Sequence, residues 1–228
     1  MPDNLSGKRI LITSGPTRAD IDPVRYISNR SSGRLGSKIA VEALALGARV
    51  TLVAGPDSAT PPREQLSADE WGRLHVLPVE TVTDLLQTLE RELTGREHCD
   101  AVVHAMAVLD YVPAHTETDK VPSRKDTWTV ELVRTPKVIR EIKVWSPRSF
   151  LVGFKLEAGK TEERLREAGA ASLRQNKADL VVANDLSQIR DERHPALIIG
   201  TGGNIVSRPQ TKSEIARELC RILIQALK

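Results

Sequence analysis

Small and hydroxyl-bearing residues come together in the run Ser31-Ser32-Gly33-Arg34-Leu35-Gly36, just where apolar residues begin to recur with helical spacing. The first N–H groups of a helix have no partner within the helix, and the positive end of the helix dipole lies there. Small residues let an anion approach these amides, and serine hydroxyls add donors, so the run is typical of a phosphate site. The alternative is that one serine is only an N-cap and that the glycines fit a tight turn.

Polar side chains that could bind an acid lie on both sides of this run. Arg25 can bind a carboxylate or phosphate through parallel N–H bonds, and Asn29 can offer its amide NH₂ to a carboxyl oxygen. Asp110 ends the most apolar segment and could hold a ligand hydroxyl or help with a cation. Each also has a structural alternative, as a solvated charge, a turn amide or a strand-terminating carboxylate. Three cations lie further along the chain: Lys120, Arg124 and Lys125. Their structural alternative is an ordinary charge cluster in solvent.

The common nucleotide motifs are absent. No G-x-G-x-x-G or G-x-x-x-x-G-K-[ST] occurs, and the second predicted strand ends in Val53-Ala54-Gly55-Pro56 without an acidic residue for a ribose hydroxyl. A nicotinamide-dependent short-chain oxidoreductase would need a Tyr-x-x-x-Lys pair. Tyr26 is instead followed four residues later by Arg30, and Tyr111 by His115. Residue types and spacing alone therefore indicate a phosphate-ligand site and nothing finer.

Composition excludes several classes of protein. The 228 residues are 40% hydrophobic and 28% charged, which suits a globule with a sizeable core. A net charge of +3 gives no basic stripe for nucleic acid. No apolar run approaches the roughly eighteen residues that a membrane span needs, and the first residues lack a signal-peptide core. Cys99 and Cys220 lack metal-ligand spacing and are interpreted as buried thiols in a reducing compartment, so the cytoplasm is expected.

Strand-like and helix-like segments alternate along the chain, which predicts an α/β fold: a doubly wound, mostly parallel, Rossmann-like sheet in one nucleotide-binding domain over residues 1–228. In such sheets ligands bind beyond the carboxyl ends of the strands, at the point where strand order reverses. A hairpin is predicted around Thr201-Gly202-Gly203, a helix opened by Pro136, and a capping box from Thr211 to Glu214. Polar or small residues collect at four strand ends: 13–16, 105–110, 154–157 and 183–185.

Two connections stand out against this regular pattern. About eighteen residues separate the first predicted strand from its helix, where two to six are usual, so that connection is expected to be functional. Residues 110–127 contain two prolines and seven charged residues and little to bury, which predicts a mobile flap over the site. The segment "WTVELV" then predicts a return to strand.

Several blocks occurring in order resemble the phosphopantothenate-cysteine ligases, also called phosphopantothenoylcysteine synthetases. The blocks are "GKRILITSGPTRADIDPVRYISNRSSGRLG", "AMAVLDYVPA" with a lysine ten residues after its Asp, "VRTPKVI", "VGFKLE" and "ADLVVANDLSQI", and the similarity runs over about residues 7 to 225. The resemblance implies an enzyme that joins the carboxylate of 4′-phosphopantothenate to the amine of L-cysteine, in coenzyme A biosynthesis. A nucleoside triphosphate would activate the carboxylate as an acyl nucleotide, with release of pyrophosphate.

The same resemblance implies roles for individual residues. Asn29 and Lys120 would be catalytic: Asn29 would hold the acid and its acyl intermediate, and Lys120 would close with the flap on the triphosphate. Arg25 would reach the acid from the neighbouring subunit of a homodimer. Backbone around residues 133–136 would contact the base. Substrate-binding residues would also include Met106 and Ala107, and the nucleotide would be bound by Gly15, Ser31, Gly33, Gly36, Asp110, Lys120, Phe154 and Asn184.

The resemblance also implies co-substrates and partners. CTP is expected, with ATP as the alternative, together with Mg²⁺ but without a metal site built from protein residues. The short chain is similar to stand-alone bacterial members, so the decarboxylase of the next step is expected to be a separate polypeptide. A non-catalytic nucleotide-binding domain is the alternative from another class, and it predicts that CTP binds without pyrophosphate release.

Overall fold

The computed structural model describes residues 4–124 and 126–228, and these ranges contain twelve strands and six α-helices. The strands are β1 (Arg9–Ser14), β2 (Arg18–Asp22), β3 (Arg25–Ser28), β4 (Arg49–Ala54), β5 (Leu74–Pro78), β6 (Ala101–His104), β7 (Tyr111–Pro113), β8 (Leu132–Arg134), β9 (Phe150–Glu157), β10 (Leu180–Asp185), β11 (Ala196–Gly200) and β12 (Ile205–Ser207). The helices are α1 (Arg34–Ala45), α2 (Ala68–Gly72), α3 (Val82–Thr94), α4 (Val138–Trp145), α5 (Glu162–Asn176) and α6 (Lys212–Ala226).

Eight strands form one sheet in the order β12-β11-β10-β9-β6-β1-β4-β5. The six strands from β10 to β5 are parallel, and β11 and β12 are antiparallel additions at one edge. The chain runs outward from β1 through β4 to β5, and then outward from β6 on the other side of β1. Strand order therefore reverses between β1 and β6, and the predicted doubly wound, mostly parallel fold is confirmed.

Both faces of the sheet are apolar because helices cover both. Ile10 and Ile12 of β1 belong to a buried cluster with residues of α1 and α6, whereas Leu11 faces the opposite way and packs with residues of α3 and α4. This alternation follows from the two-residue period of a strand. It also explains why the central strands read as continuous apolar runs in the sequence.

Helix starts follow the predicted polar residues with two corrections. Thr81 caps α3 with a full capping box. The predicted opening of α4 at Pro136 is wrong, because Lys137 is the N-cap and Pro136 precedes it. At α6 the Thr211 hydroxyl accepts from the Glu214 N–H as predicted, but the Glu214 carboxylate accepts from the N–H of Gln210, one residue before the cap, at 2.7 Å.

The two unusual connections each contain a small antiparallel pair of strands. The long connection after β1 holds the hairpin β2–β3, which the sequence pattern did not predict. The flap region begins with β7, which pairs with β8 outside the main sheet. The predicted strand "WTVELV" is therefore shorter than expected, since the paired residues are Leu132–Arg134.

Cys99 and Cys220 are both buried free thiols, as predicted. Burial raises the pKa of the Cys99 thiol to about 11 and also raises that of Cys220, so both stay protonated at neutral pH. Within the described ranges, no helix has the length and apolar character needed to cross a membrane.

Candidate functional site

The carboxyl ends of β1 and β6 meet at the strand-order reversal. Beyond the strands the two segments stay together: the Ala107 N–H donates to Gly15 O at 2.8 Å, and the Thr17 N–H donates to Ala107 O at 3.3 Å. Met106, two residues past the end of β6, is buried, and Ala107 is half-buried. The predicted strand ends 13–16 and 105–110 are therefore neighbours in space, at the edge where ligands of such sheets bind.

The run Ser31–Gly36 begins α1 beside this edge. The N-cap is Gly33, with φ 70°, so the alternative that a serine caps the helix is wrong. The first intrahelical bond runs from the Ser37 N–H to Gly33 O at 3.0 Å. The N–H groups of residues 34–36 therefore have no acceptor within the helix. This arrangement retains the donors that an anion needs.

The glycines of this run allow three segments to approach closely. A Cβ on Gly36 would lie 2.5 Å from Ser14 Cβ, and one on Gly33 would lie 2.9 Å from Ser58 Cβ. Gly15 has φ 82° and also lies against Ser58. Gly15, Gly33 and Gly36 are all buried, so they shape the site by close packing.

Two serines that sequence reasoning did not select hold the helix start in place. The buried Ser14 hydroxyl donates to Gly33 O at 2.9 Å. Ser58 fills the space between Gly15 and Gly33, and the next residue, Ala59, donates its N–H to Ser32 O at 2.9 Å. A serine directly after a buried strand was the available signal for Ser14, whereas the contact with Ser58 depends on tertiary structure.

Asn29 lies between the hairpin and α1 and contacts the end of β6. Its Nδ2 donates to Ala107 O and Val108 O, both at 3.1 Å. The sequence predicted that this NH₂ group offers hydrogen bonds to a substrate carboxyl. In the structure Nδ2 binds two backbone carbonyls in the segment after β6, and Oδ1 makes no hydrogen bond with the described residues, so contact with a substrate carboxyl stays a prediction. Asn29 is thus in contact with Ala107, the residue after Met106.

Arg25 connects the hairpin to the flap within one chain. Its Nη1 donates to the buried carboxylate of Asp22 at 2.5 Å and to Val121 O at 3.3 Å, and its guanidinium lies 5.2 Å from the Trp128 ring centre. Burial opposes ionisation of Asp22, but amide N–H groups of Val24 and Val121 and the Arg25 charge lower its pKa overall. Contact of Arg25 with a neighbouring subunit stays a prediction.

The flap is attached to the hairpin by further backbone contacts. The Glu117 N–H donates to Ile21 O at 2.9 Å, and the Thr116 hydroxyl donates to Asp20 O at 3.1 Å. Lys120 lies between these contacts and Val121, is exposed, and makes no ion pair with any described residue. Arg124 is exposed as well, and Lys125 lies outside the described residues.

Asp110 has a partner that the sequence did not suggest. Its Oδ1 lies 2.5 Å from Lys137 Nζ, and both side chains are about half exposed. The Thr135 N–H donates to Asp110 O at 3.0 Å, and its hydroxyl donates to Leu109 O at 2.6 Å. Thr135, within the segment 133–136 that was predicted to contact the base, therefore holds residues 109 and 110 in place.

Phe154 and Asn184 lie on β9 and β10, on the face that α1 and α6 cover. Asn184 is buried, and Phe154 is half-buried against that core cluster. Next to Asn184, the buried Asp185 accepts bonds from the Ser187 hydroxyl and from the N–H groups of Ser187, Lys160 and Gly159. These bonds lower the pKa of Asp185 to about 2, the Ser187 hydroxyl contributing most. Asp185 thus fixes the loop after β9.

A buried histidine that sequence reasoning overlooked also lies at the strand-order reversal. His104 is the last residue of β6, and its Nδ1 lies 2.8 Å from the hydroxyl oxygen of Thr13 on β1. That hydroxyl oxygen accepts the Met106 N–H at 3.3 Å. Burial lowers the pKa of His104 to about 4, so the imidazole is neutral at pH 7. A histidine ending an otherwise apolar strand was a signal in the sequence.

Comparison with known proteins gives the family. Residues 5–227 match the family model of the DNA/pantothenate metabolism flavoprotein C-terminal domain. The chain belongs to this family. The resemblance inferred from the sequence blocks is confirmed at this level.

Relatives and solved structures of the family agree with the fold. The chain is 38% identical, over 96% of its length, to the coenzyme A biosynthesis bifunctional protein CoaBC of Thermococcus kodakarensis, of which it covers 51%. The crystal structure of the DNA/pantothenate metabolism flavoprotein from Streptococcus pneumoniae superposes with a TM-score of 0.85 at 31% identity, covering 97% of this chain and all of that one. The C-terminal domain of a CoaBC protein gives 0.77 at 32% identity, covering 98% and 97%. The chain spans about half the length of the curated relatives it matches.

Proposed function

We propose that the protein is a phosphopantothenate-cysteine ligase of coenzyme A biosynthesis. The observation that carries the proposal is the arrangement at the strand-order reversal. Free amides at the start of α1 lie on one side of β1, and the Asn29–Ala107 contact lies at the end of the neighbouring β6. A triphosphate on the amides and an acid beside Asn29 would meet at this edge. Membership of a family whose relatives act in coenzyme A biosynthesis supports the same function.

The chemistry of the ligase suits this arrangement in two steps. In the first, a carboxylate oxygen of 4′-phosphopantothenate attacks the α-phosphorus of the nucleotide, and pyrophosphate leaves. In the second, the amine of cysteine attacks the acyl carbon, loses a proton, and the nucleoside monophosphate leaves. Both steps build negative charge on oxygen, so fixed donors and cations would supply most of the rate enhancement. We assign the triphosphate to the amides of residues 34–36 and to Lys120, and the acid to Asn29, Met106 and Ala107.

The glycines and flap would act by shaping and closing the site. Gly15, Gly33 and Gly36 would let the phosphates approach by keeping the helix start close to β1, and Ser31 would add a hydroxyl donor. Asp110, Phe154 and Asn184 would line the nucleotide. Lys120 has no ion-pair partner among the described residues, which leaves its charge available for the triphosphate. Arg25 would bind the acid from a second copy in a homodimer, for which the exposed Val24 and Tyr26 on the same hairpin offer apolar surface.

We propose CTP as the co-substrate, with ATP as the alternative, and Mg²⁺ as its counter-ion. The described residues contain no group of three or more His, Cys, Asp or Glu arranged to hold a metal. Mg²⁺ commonly binds through phosphate oxygens and one or two carboxylates, and Asp110 is the carboxylate among the residues proposed to bind the nucleotide. The ion would neutralise phosphate charge when bound. The cytoplasm is proposed as the location.

Pyrophosphate release tests the proposal directly. The purified protein is incubated with 4′-phosphopantothenate, Mg²⁺ and each of the four common ribonucleoside triphosphates, with and without cysteine. We expect release that is fastest with CTP, and a phosphopantothenoylcysteine product, identified by mass, that forms only with cysteine. Nucleotide binding without release under any of these conditions would support the non-catalytic alternative instead.

A further inference from the structure

His104 is a buried imidazole at the centre of the proposed site. It occupies the last position of β6 and is 7% exposed. Parallel pairing places it opposite Thr13 of β1, so the two side chains share the sheet face that α3 and α4 cover. Met106 belongs to the core cluster on that same face. His104 is therefore on the side of the sheet where the acid is proposed to bind.

The hydrogen bonds of the Thr13 hydroxyl determine the tautomer of His104. The Thr13 hydroxyl is fully buried, and its oxygen already accepts the Met106 N–H. If the hydroxyl donates to Nδ1, every polar group of Thr13 is satisfied. If Nδ1 carried the proton and donated instead, the buried hydroxyl hydrogen would have no partner among the described residues. Nδ1 is thus the acceptor, and the proton of the neutral ring lies on Nε2.

The Nε2–H group is unused but accessible. It has no hydrogen-bond partner among residues 4–124 and 126–228. In those ranges the side-chain nitrogens that are both sealed from solvent and unpartnered are Arg18 Nε and the two ring nitrogens of His194. Since His104 Nε2 is unpartnered but not among them, part of its surface remains open to solvent. A fixed donor on a nine-tenths buried ring is thus available to a ligand.

We propose that His104 donates a hydrogen bond from Nε2 to an anionic oxygen of the acid substrate beside Met106 and Asn29. This inference rests on the proposed function and adds a further substrate-contacting residue to it. A neutral donor suits the first step because it orients the carboxylate without the full charge that would reduce its nucleophilicity. The same donor stabilises charge on oxygen as the acyl nucleotide forms. Thr13 fixes the ring so that little reorganisation is needed.

Two substitutions distinguish the effect of the proposed Nε2–H donor from the effect of the hydrogen bond between Nδ1 and Thr13. In His104→Asn the side-chain amide can occupy the place of Nδ1 and accept from Thr13, but no atom reaches the position of Nε2. In His104→Gln the longer amide can place its NH₂ near Nε2. We expect His104→Asn to lose about ten- to a hundredfold in kcat/KM for phosphopantothenate, with the KM of the nucleotide unchanged. We expect His104→Gln to recover part of this loss. His75→Asn, on the exposed surface of β5, is the matched control and should keep wild-type values.

Nitrogen-15 NMR of the wild-type imidazoles provides a readout that a purely structural role would not change. His104→Asn identifies the signals of His104 among the five histidines; if that variant does not fold, His104→Gln serves the same purpose. Saturating 4′-phosphopantothenate, without nucleotide, should shift the Nε2 signal of His104. An unshifted Nε2 signal, or a folded His104→Asn variant with wild-type kcat/KM, would overturn the inference. Absence of pyrophosphate release by the wild-type protein would instead count against the proposed function, while the Nε2 shift would still decide the role of His104.

Discussion

Replacing Asn29 by Asp tests how the acid is held at the end of β6. The wild-type Nδ2 donates to Ala107 O and Val108 O at 3.1 Å each, and the Asp carboxylate would place oxygen against both carbonyl oxygens. Each lost hydrogen bond is worth about 0.5–1.5 kcal/mol. Because Asn29 is exposed, the lower part of this range applies, so the free energy of unfolding should fall by about 1–2 kcal/mol. The sequence alone suggested little effect on the fold, whereas these two bonds predict a measurable one.

The charge introduced by Asn29→Asp should affect catalysis more than folding. Two like charges about 6 Å apart repel by about 1.4–2.8 kcal/mol at an effective dielectric constant of about 20–40. If the substrate carboxylate binds beside residue 29, this repulsion corresponds to about a ten- to a hundredfold loss in kcat/KM for phosphopantothenate. The variant Asn29→Ala loses the same two hydrogen bonds but adds no charge. The ratio of the Ala variant to the Asp variant therefore isolates the electrostatic effect.

The assay is pyrophosphate release by both variants between pH 5 and pH 8. Nearby carbonyl oxygens and the bound acid raise the pKa of the introduced carboxyl above its usual value of about 3.9. Its charged form therefore predominates at pH 8 and is lost as the pH falls through the raised pKa. We expect the Ala-to-Asp ratio to be about 10–100 at pH 8 and to decline toward pH 5. A ratio near one at pH 8, in two variants that unfold at the same temperature, would show that no substrate anion lies beside residue 29.

Three other substitutions examine separate parts of the site. Gly36→Ala should raise the KM of the nucleotide and lower the melting temperature, because a Cβ 2.5 Å from Ser14 Cβ forces α1 away from β1; Gly72→Ala, with open space around it, is the control, and equal behaviour of the two would contradict the packing argument. Lys120→Gln should slow pyrophosphate release about a hundredfold, whereas Arg124→Gln on the same flap should have little effect; normal release by the first variant would exclude its proposed role. Asp185→Asn should remove a stability contribution that is present above pH 4 and lost as pH falls to about 2, since a serine hydroxyl and backbone amides lower the pKa of this carboxyl to about 2. Urea unfolding from pH 2 to pH 5 measures it, and unchanged pH dependence would contradict the assignment.

The central sheet could be predicted because its information is local. Runs such as "RILIT" are apolar on both faces and end at Gly or Pro, and Thr81 and Thr161 directly precede amphipathic helices that they cap. The helix start at residues 31–36 was located for the same reason, although Gly33 rather than a serine is the cap. Pro136 misled the prediction because proline favours the first helical turn, yet the turn here begins two residues later.

The remaining parts of the site depend on contacts across the sequence. Asp22 is buried because Arg25 and the Val121 N–H, almost a hundred residues away, both bind its carboxylate. Nothing in the polar segment around Asp22 specifies that contact. In the same way, Asn29 appeared free to bind a ligand because its acceptors, Ala107 and Val108, lie 78 and 79 residues away in the segment after β6. Composition can nominate a polar residue, but only the fold shows which of its donors are already used.

The two halves of the proposed reaction approach β1 from opposite faces of the sheet. Ser14 points toward α1 and binds Gly33 O at the helix start, whereas the preceding residue, Thr13, points the other way and links His104 to the Met106 N–H. The phosphates and the acid are thus positioned by consecutive residues of one rigid central strand. Consecutive side chains of a strand cannot shift independently, so the distance between the carboxylate and the α-phosphorus would be set by the backbone of β1. A ligase that depends mainly on positioning would therefore use the buried hydroxyls of β1 to hold the two reacting groups in place. The exposed Lys120 on the flap would bring its positive charge to the triphosphate.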